Sequence, residues 1–212
     1  MKKIIILFLL ISSIVKSQTI SNHNLVINHG DITIYLDKDT STFISKHTLK
    51  YSNFKRLGKW PRDNNWFEDK YKGKYKKYKY KKTGYDLGHL TPSHITTYDS
   101  LLNHHSFSMF NQAPQLSYFN KVTWKKLESN VELIISKYKT DVVIITGVIY
   151  QDKKTLPNSR IKIPTNFYKI LILSNGKILC WIGSNTDSTV KETNISEINT
   201  LLKSTGNNLF IK

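Results

Sequence analysis

The chain has 212 residues, 39% of them hydrophobic, one cysteine and a formal charge of +17. Cys180 alone excludes an internal disulfide, so the fold rests on packing. The charge implies long-range attraction to polyanions, whether nucleic acid, an anionic membrane surface or acidic polysaccharide, and does not choose among them.

Lys2 and Lys3 precede an apolar run over residues 4–15, and Val15 and Ser17 hold the small-residue positions before a cleavage point. The pattern is that of a signal peptide over residues 1–17, with the mature chain starting at Gln18 and secreted or periplasmic. A membrane span needs roughly 20 apolar residues, more than this run supplies. No cysteine follows it to take a lipid anchor. Residues 18–212 are then one domain.

In chain order, residues 22–28 and 32–36 read as short strands around the turn His29-Gly30-Asp31, with an antiparallel neighbour over 43–51. Periodicity disappears over 53–69, an ordered loop carrying Arg56 and Arg62. Residues 70–82 interleave eight lysines with Tyr71, Tyr75, Tyr78 and Tyr80. Lysines neutralise phosphates and tyrosine faces stack on bases, so Lys76, Lys77, Tyr78 and Lys79 are candidate substrate contacts. A solvated charged loop or an anionic lipid contact explains the same composition.

Residues 85–90 read as an extended piece stopped by Thr91-Pro92, 95–103 as a short helix or irregular lid, and 106–110 as a strand. The clearest helix covers 116–138, where Phe119, Val122, Leu127, Val131 and Ile134 or Ile135 recur at helical spacing. Residues 142–149 form a β-branched run expected in the centre of a sheet. A loop with Pro157 and Arg160 follows. Residues 167–174 and 177–182 make a hairpin around Asn175-Gly176, with Cys180 buried in its second strand. A last helix covers 195–202. The fold class is α+β.

Two stretches carry candidate chemistry. The first is Tyr85-Asp86-Leu87-Gly88-His89-Leu90-Thr91-Pro92. The second is Asn111-Gln112-Ala113-Pro114-Gln115, followed by Phe119-Asn120-Lys121-Val122-Thr123-Trp124-Lys125-Lys126-Leu127-Glu128. A neutral imidazole at His89 is a natural proton acceptor near pH 7, and Gly88 permits close backbone approach. At ~1.5 Å per helical residue, Asn120 and Glu128 stand about 12 Å apart along the axis, too far to be ligands of one ion together. Asn120 on a hard cation and Glu128 reaching its water is geometrically reasonable. Asn120 capping the helix and Glu128 pairing with a lysine accounts for the same residues.

These motifs resemble those of the DNA/RNA non-specific endonucleases, the Serratia-type and endonuclease G-like family with a ββα-metal (His-Me finger) site. Asp86-Leu87-Gly88-His89 looks like the family's Asp-Arg-Gly-His. Asn111, Pro114, Gln115, Asn120, Trp124, Leu127 and Glu128 match its second motif in order and spacing. Ile145-Thr146-Gly147, Ile163-Pro164, Phe167-Tyr168-Lys169 and Thr205-Gly206 resemble its later segments.

The resemblance implies a central antiparallel sheet flanked by helices, with the site on a ββα unit. It implies His89 as general base, Asn120 as protein ligand of one divalent cation (usually Mg2+, with Mn2+ or Ca2+ as alternatives), Glu128 orienting a metal-bound water, and Asn111 steadying the site. Asp86 is expected as a hydrogen-bond partner. DNA and RNA are the implied substrates. A homodimer and an inhibitor protein stay open as partners. Leu87 departs from the family arginine, removing one phosphate contact. Arg62, Arg160 or a lysine of the basic run are candidates to replace it. The competing reading is a catalytically impaired protein that binds nucleic acid or an anionic surface.

Overall fold

A computed structural model describes residues 25–37, 42–68 and 77–206, except for the side chains of Lys77 and Tyr78. The expected signal peptide and Lys76 lie outside the described residues. Nine strands and four α-helices are described. In order they are β1 (Leu25–His29), β2 (Ile32–Leu36), β3 (Thr42–Leu49), α1 (Tyr51–Phe54), β4 (Tyr85–His89) and α2 (Ser100–Ser106). Then come β5 (Gln112–Leu116), a π-helical turn (Phe119–Trp124), α3 (Lys125–Tyr138), β6 (Val142–Ile149), β7 (Asn166–Leu173), β8 (Ile178–Ser184), β9 (Thr189–Thr193) and α4 (Ile195–Ser204).

Seven strands form one antiparallel sheet in the order β1-β2-β3-β6-β7-β8-β9, so β6 is central, as its β-branched composition requires. The alternation of side chains divides β6 and β7 between two cores. Ile144, Val148, Phe167 and Leu171 face the front, where Trp124, Leu127, Val131 and Ile135 cover them. Ile145, Ile149, Tyr168, Ile170 and Cys180 face the back, where Ile198 and Leu202 of α4 cover them. The α+β class with helices flanking an antiparallel sheet is therefore the observed architecture.

Local chemistry sets the boundaries. Gly176 takes φ 85° between β7 and β8, the conformation expected of an Asn-Gly turn. Asn194 caps α4 by accepting from the Glu197 amide at 2.9 Å, and Asp99 caps α2 by accepting from the Leu102 amide at 2.8 Å.

Two expectations need correction. Residues 106–110 are not a strand: Ser106 closes α2, and the chain then turns tightly so that Phe107, Met109 and Phe110 all enter the core. The strand is β5, directly after it, and the helix begins at Phe119 because Leu116 still belongs to β5. The edge strand β9 has an exposed, polar pattern and was not expected.

The unit that positions the site is separate from the large sheet. β4 and β5 pair antiparallel, with His89 opposite Gln112 and Gly88 opposite Ala113. The chain then enters the π-helical turn and α3, giving a ββα unit on the front face. Pro114 is tolerated because β5 pairs only with β4.

Candidate active site

His89 ends β4, and two aromatic neighbours hold its ring. Trp66 lies 4.4 Å away between ring centroids, and Phe107 meets it edge-on at 4.9 Å. Behind it, the buried Asn111 donates to the carbonyls of Thr91 and Ser106 at 2.8 Å and accepts from the Thr91 amide at 3.0 Å. Asn111 thus spends its amide on the turn that follows His89 and does not border the cleft. It steadies the histidine and is not a catalytic residue in the sense of touching substrate.

Gly88 is required here. A Cβ on it would stand 1.9 Å from Oε1 of Gln115, whose side chain crosses the strand at that point. The His89 ring is half-buried, but its Nε2 is shut away from solvent and has no hydrogen-bond partner. Burial, and then the nearby Arg62 guanidinium, lower the His89 pKa to about 3. The imidazole is neutral at physiological pH, as a proton acceptor must be.

Asn120 sits in the π-helical turn, a geometry that recurs at functional sites. Its Nδ2 donates to Oδ2 of Asp86 at 3.1 Å, and this leaves the amide oxygen without that partner. Asp86 also accepts from Ser117 at 2.9 Å and pairs with Lys121 at 3.2 Å. Burial raises the Asp86 carboxyl, but hydrogen bonds from Asn120, Ser117 and Lys121 more than offset this and hold it below its ordinary value. Asp86 is therefore an ionised anchor for the Asn120 amide, as the motif suggested. Asn120 caps no helix.

Glu128 lies in the first turn of α3 with its side chain 22% exposed. Its one ion-pair partner among the described residues is Lys169, at 3.9 Å. Burial raises the Glu128 pKa to about 7; Lys169 limits the rise and Glu132, one turn later, adds to it.

Arg62 arrives on the 55–68 loop, which a parallel bridge between Phe67 and Ser108 ties to the segment after α2. Its guanidinium lies 5.0 Å from the Phe107 ring centroid, and its Nε donates to Oδ1 of Asn64 at 2.7 Å. Leu87 is half-buried, packs on the front core and forms part of the cleft wall. It contributes no charge where the family motif has a cation.

These residues meet in one cleft of about 530 Å³, lined among others by Arg62, Leu87, His89, Asn120, Lys125 and Glu128. His94 and Glu132, paired at 3.0 Å, close one wall. Arg160 is elsewhere: it borders a different depression with Tyr150, Lys162 and Thr205, because the loop after β6 carries it away from the ββα unit. Lys79 donates to the Asn158 carbonyl at 3.1 Å, linking the basic run to that same loop. Tyr80 is buried and donates to Oε1 of Gln112 at 2.5 Å, so it anchors the run to β5 and offers no face to a base. Lys77 and Tyr78 have side chains outside the described residues.

Four residues at or beside the cleft were not among the expected site residues: Trp66, Lys121, Lys125 and Lys169. Trp66 carries no signal beyond being an aromatic in a polar loop. Lys121 and Lys125 stand inside the second motif without a role of their own in the sequence. Lys169 did leave a mark, since it interrupts the apolar run Phe167 to Leu173 at a front-facing position.

The donor set suits a hard divalent cation. One amide oxygen is oriented by Asp86, one carboxylate stands nearby, and the cleft has room for a hydration shell. Among the described residues no sulfur donor lines the cleft, and no group of three or more histidine, cysteine or acidic side chains converges on one point there.

A family model for the DNA/RNA non-specific endonucleases matches residues 12–208. A mitochondrial nuclease of Saccharomyces cerevisiae is 27% identical over 143 residues, covering 61% of this chain and 43% of the relative. Human mitochondrial endonuclease G is 25% identical over 105 residues, covering 44% of this chain and 35% of the relative. A nuclease of a Nostoc species is 32% identical over 109 residues, covering 50% and 39%. The chain thus spans less than half the length of these curated relatives. The fold is also that of a chain in the solved EndoG/EndoGI complex, with a TM-score of 0.70 at 19% identity, covering 83% of this chain and 82% of that one. With the family model matching residues 12–208 and both motifs converging in one cleft, the chain belongs to the DNA/RNA non-specific endonucleases.

Proposed function

We propose that the protein is a secreted or periplasmic endonuclease that hydrolyses phosphodiester bonds of DNA and RNA with little sequence preference and needs a divalent cation, most simply Mg2+. The observation that carries this reading is the convergence of His89, Asn120, Glu128 and Arg62 on one cleft from three separate stretches of chain. Export rests on the leader at residues 1–17.

Hydrolysis needs a proton acceptor for water and positive charge beside the developing phosphorane. With Nε2 of His89 enclosed, Nδ1 is the nitrogen that takes the proton from the attacking water. Trp66 and Phe107 fix the ring plane, and Asn111 fixes the backbone behind it. Glu128 accepts a hydrogen bond from water in the cleft and orients it. The Arg62 guanidinium and the ammonium groups of Lys121 and Lys125 attract the nucleic acid backbone. Such contacts carry no sequence information. The amide oxygen of Asn120 would hold the cation, with Asp86 fixing the amide. When bound, the cation would supply Lewis-acid stabilisation of charge on the phosphate and the leaving oxygen. Leu87 leaves Arg62 as the arginine of the cleft.

The test is cleavage of plasmid DNA and of RNA by the protein recovered from the medium or periplasm, its N-terminus expected at Gln18. Wild type should degrade both polymers in Mg2+, EDTA should stop it, and His89→Ala should bind but cut roughly 10²–10⁴-fold more slowly. Undiminished cleavage by His89→Ala removes the base assignment. Binding without cleavage by wild type would instead favour an impaired binder, with Leu87 as the cause.

A further inference from the structure

Lys169 occupies the middle of β7 with 1% of its surface exposed. Strand register places it on the front face in one row with Ser45, Thr146 and Trp181. Its Nζ donates to Oγ1 of Thr146 at 2.7 Å and lies 5.3 Å from the Trp124 ring centroid. The one carboxylate within ion-pair distance, among the described residues, is Glu128 at 3.9 Å. A buried ammonium costs free energy unless it is well paired. Plain packing would place leucine or methionine here, as Phe167 and Leu171 on either side illustrate.

The separation is informative. At 3.9 Å the contact is longer than a charge-assisted hydrogen bond. The ammonium therefore attracts the carboxylate without occupying its lone pairs, and Glu128 makes no hydrogen bond to any described residue. A short salt bridge would have used the oxygens that a water in the cleft needs. Thr146 and Trp124 hold the ammonium, and α3 holds the carboxylate against it.

We infer that Lys169 is a positioning residue for hydrolysis: from beneath the cleft it holds the Glu128 carboxyl group aimed at the attacking water, while Thr146 and Trp124 fix its own place. The inference rests on Glu128 acting on that water, and it adds a component that lies in the core of the sheet and touches neither substrate nor solvent. Burial, partly opposed by Glu128, lowers the Lys169 pKa, the direction expected for an ammonium inserted between apolar strands.

A mutant cycle on the full chain tests this, using Lys169→Met, Glu128→Gln and the double variant. The measurements are kcat and KM on plasmid DNA, the melting temperature, and anisotropy of a labelled oligonucleotide in EDTA. Lys169→Met is expected to lower kcat roughly 10²-fold, comparable to losing one preorganised catalytic interaction. KM and oligonucleotide affinity should not change. The melting temperature should hold or rise in the double variant, where both partners are neutral, and fall in Lys169→Met, which leaves Glu128 uncompensated, so kcat is read per folded molecule. In the Glu128→Gln background the same substitution should cost no further kcat, and Lys169→Arg should restore part of the rate.

Wild-type kcat in Lys169→Met, or an equal loss with and without Glu128, overturns the inference. If Lys169→Met fails to fold, Thr146→Val frees the ammonium while keeping its charge. It should lower kcat less, and only when Glu128 is present; a loss independent of Glu128 is again fatal. Full activity in Glu128→Gln would overturn the function proposed for Glu128 itself. A slow Glu128→Gln beside a fast Lys169→Met would overturn the lysine alone.

Discussion

Behind the sheet, Ile145, Ile149, Tyr168, Ile170 and Ile182 pack against Ile198 and Leu202 of α4. On the opposite side of the same strands, Ser45, His47, Thr146 and Lys169 are buried among apolar residues. One set of strands thus carries an oil-like face and a face interrupted by polar groups. Burying polar groups is costly unless they are paired, so their concentration beneath the cleft follows from what the cleft does. Ser45 shares a hydrogen bond of 2.7 Å with Thr91, two residues beyond His89, and Lys169 reaches Glu128. The back supplies stability that any well-fitting apolar set could supply. The front supplies placement.

Substitutions can break that division. The largest effect is expected from Ile198→Ala on the back, which should lower stability by about 2–5 kcal/mol through lost burial and a residual cavity. Denaturant unfolding would measure it, and kcat per folded molecule should be unchanged. A fall in kcat at full occupancy of the folded state would merge the two faces.

Next in size is Asp86→Ala, which releases the Asn120 amide. Partners of this kind typically cost 10–100-fold in metal affinity or activity, about 1.4–2.7 kcal/mol. Titrating Mg2+ against cleavage rate should show the loss as weaker apparent cation affinity, with little change in unfolding. An unaltered Mg2+ dependence would mean that Asp86 orients nothing of consequence.

The smallest effect, read within the first pH unit below 6.5, sharpens the front. His47 is fully buried, with Nε2 3.2 Å from the Tyr98 hydroxyl. Burial, then Lys169, lowers its pKa to about 3. The unfolded chain takes up that proton near pH 6.5 and the folded chain does not until about pH 3. Stability should therefore fall as pH drops from 6.5 towards 3 and be flat above, at up to roughly 1.4 kcal/mol per pH unit for each such proton. His47→Gln should flatten the acid slope of the melting temperature and leave the part due to His89. An unchanged slope would exclude His47 as its source.

Much of this was legible in the sequence wherever one local rule dominated. Asn175-Gly176 gave the β7–β8 turn, and unbroken β-branching marked β6. Helical spacing fixed α3, and the motif residues marked the ββα unit. Where rules conflicted, the sequence misled. Pro114 and three polar or small neighbours hid β5, since its residues are buried on both faces and do not alternate. Polar, exposed β9 lacks an apolar side to announce it. Arg160 is attractive by charge alone, and only the path of the loop after β6 removes it from the cleft. Asn111 matched a motif, but its partners had to be seen before its role became structural. Trp66 joins His89 through space and had no local signature.

The wide turn at Phe119–Trp124 has one more consequence. It accommodates an extra residue relative to regular α geometry, and so sets the angular phase between the residues before and after it. Deleting one residue there would let the segment wind normally while swinging everything upstream by about 100° around the axis. The helix would survive, yet Asn120 and Glu128 would no longer look into the same space. In this fold, the length of a six-residue stretch is as strict a specification as the identity of any side chain.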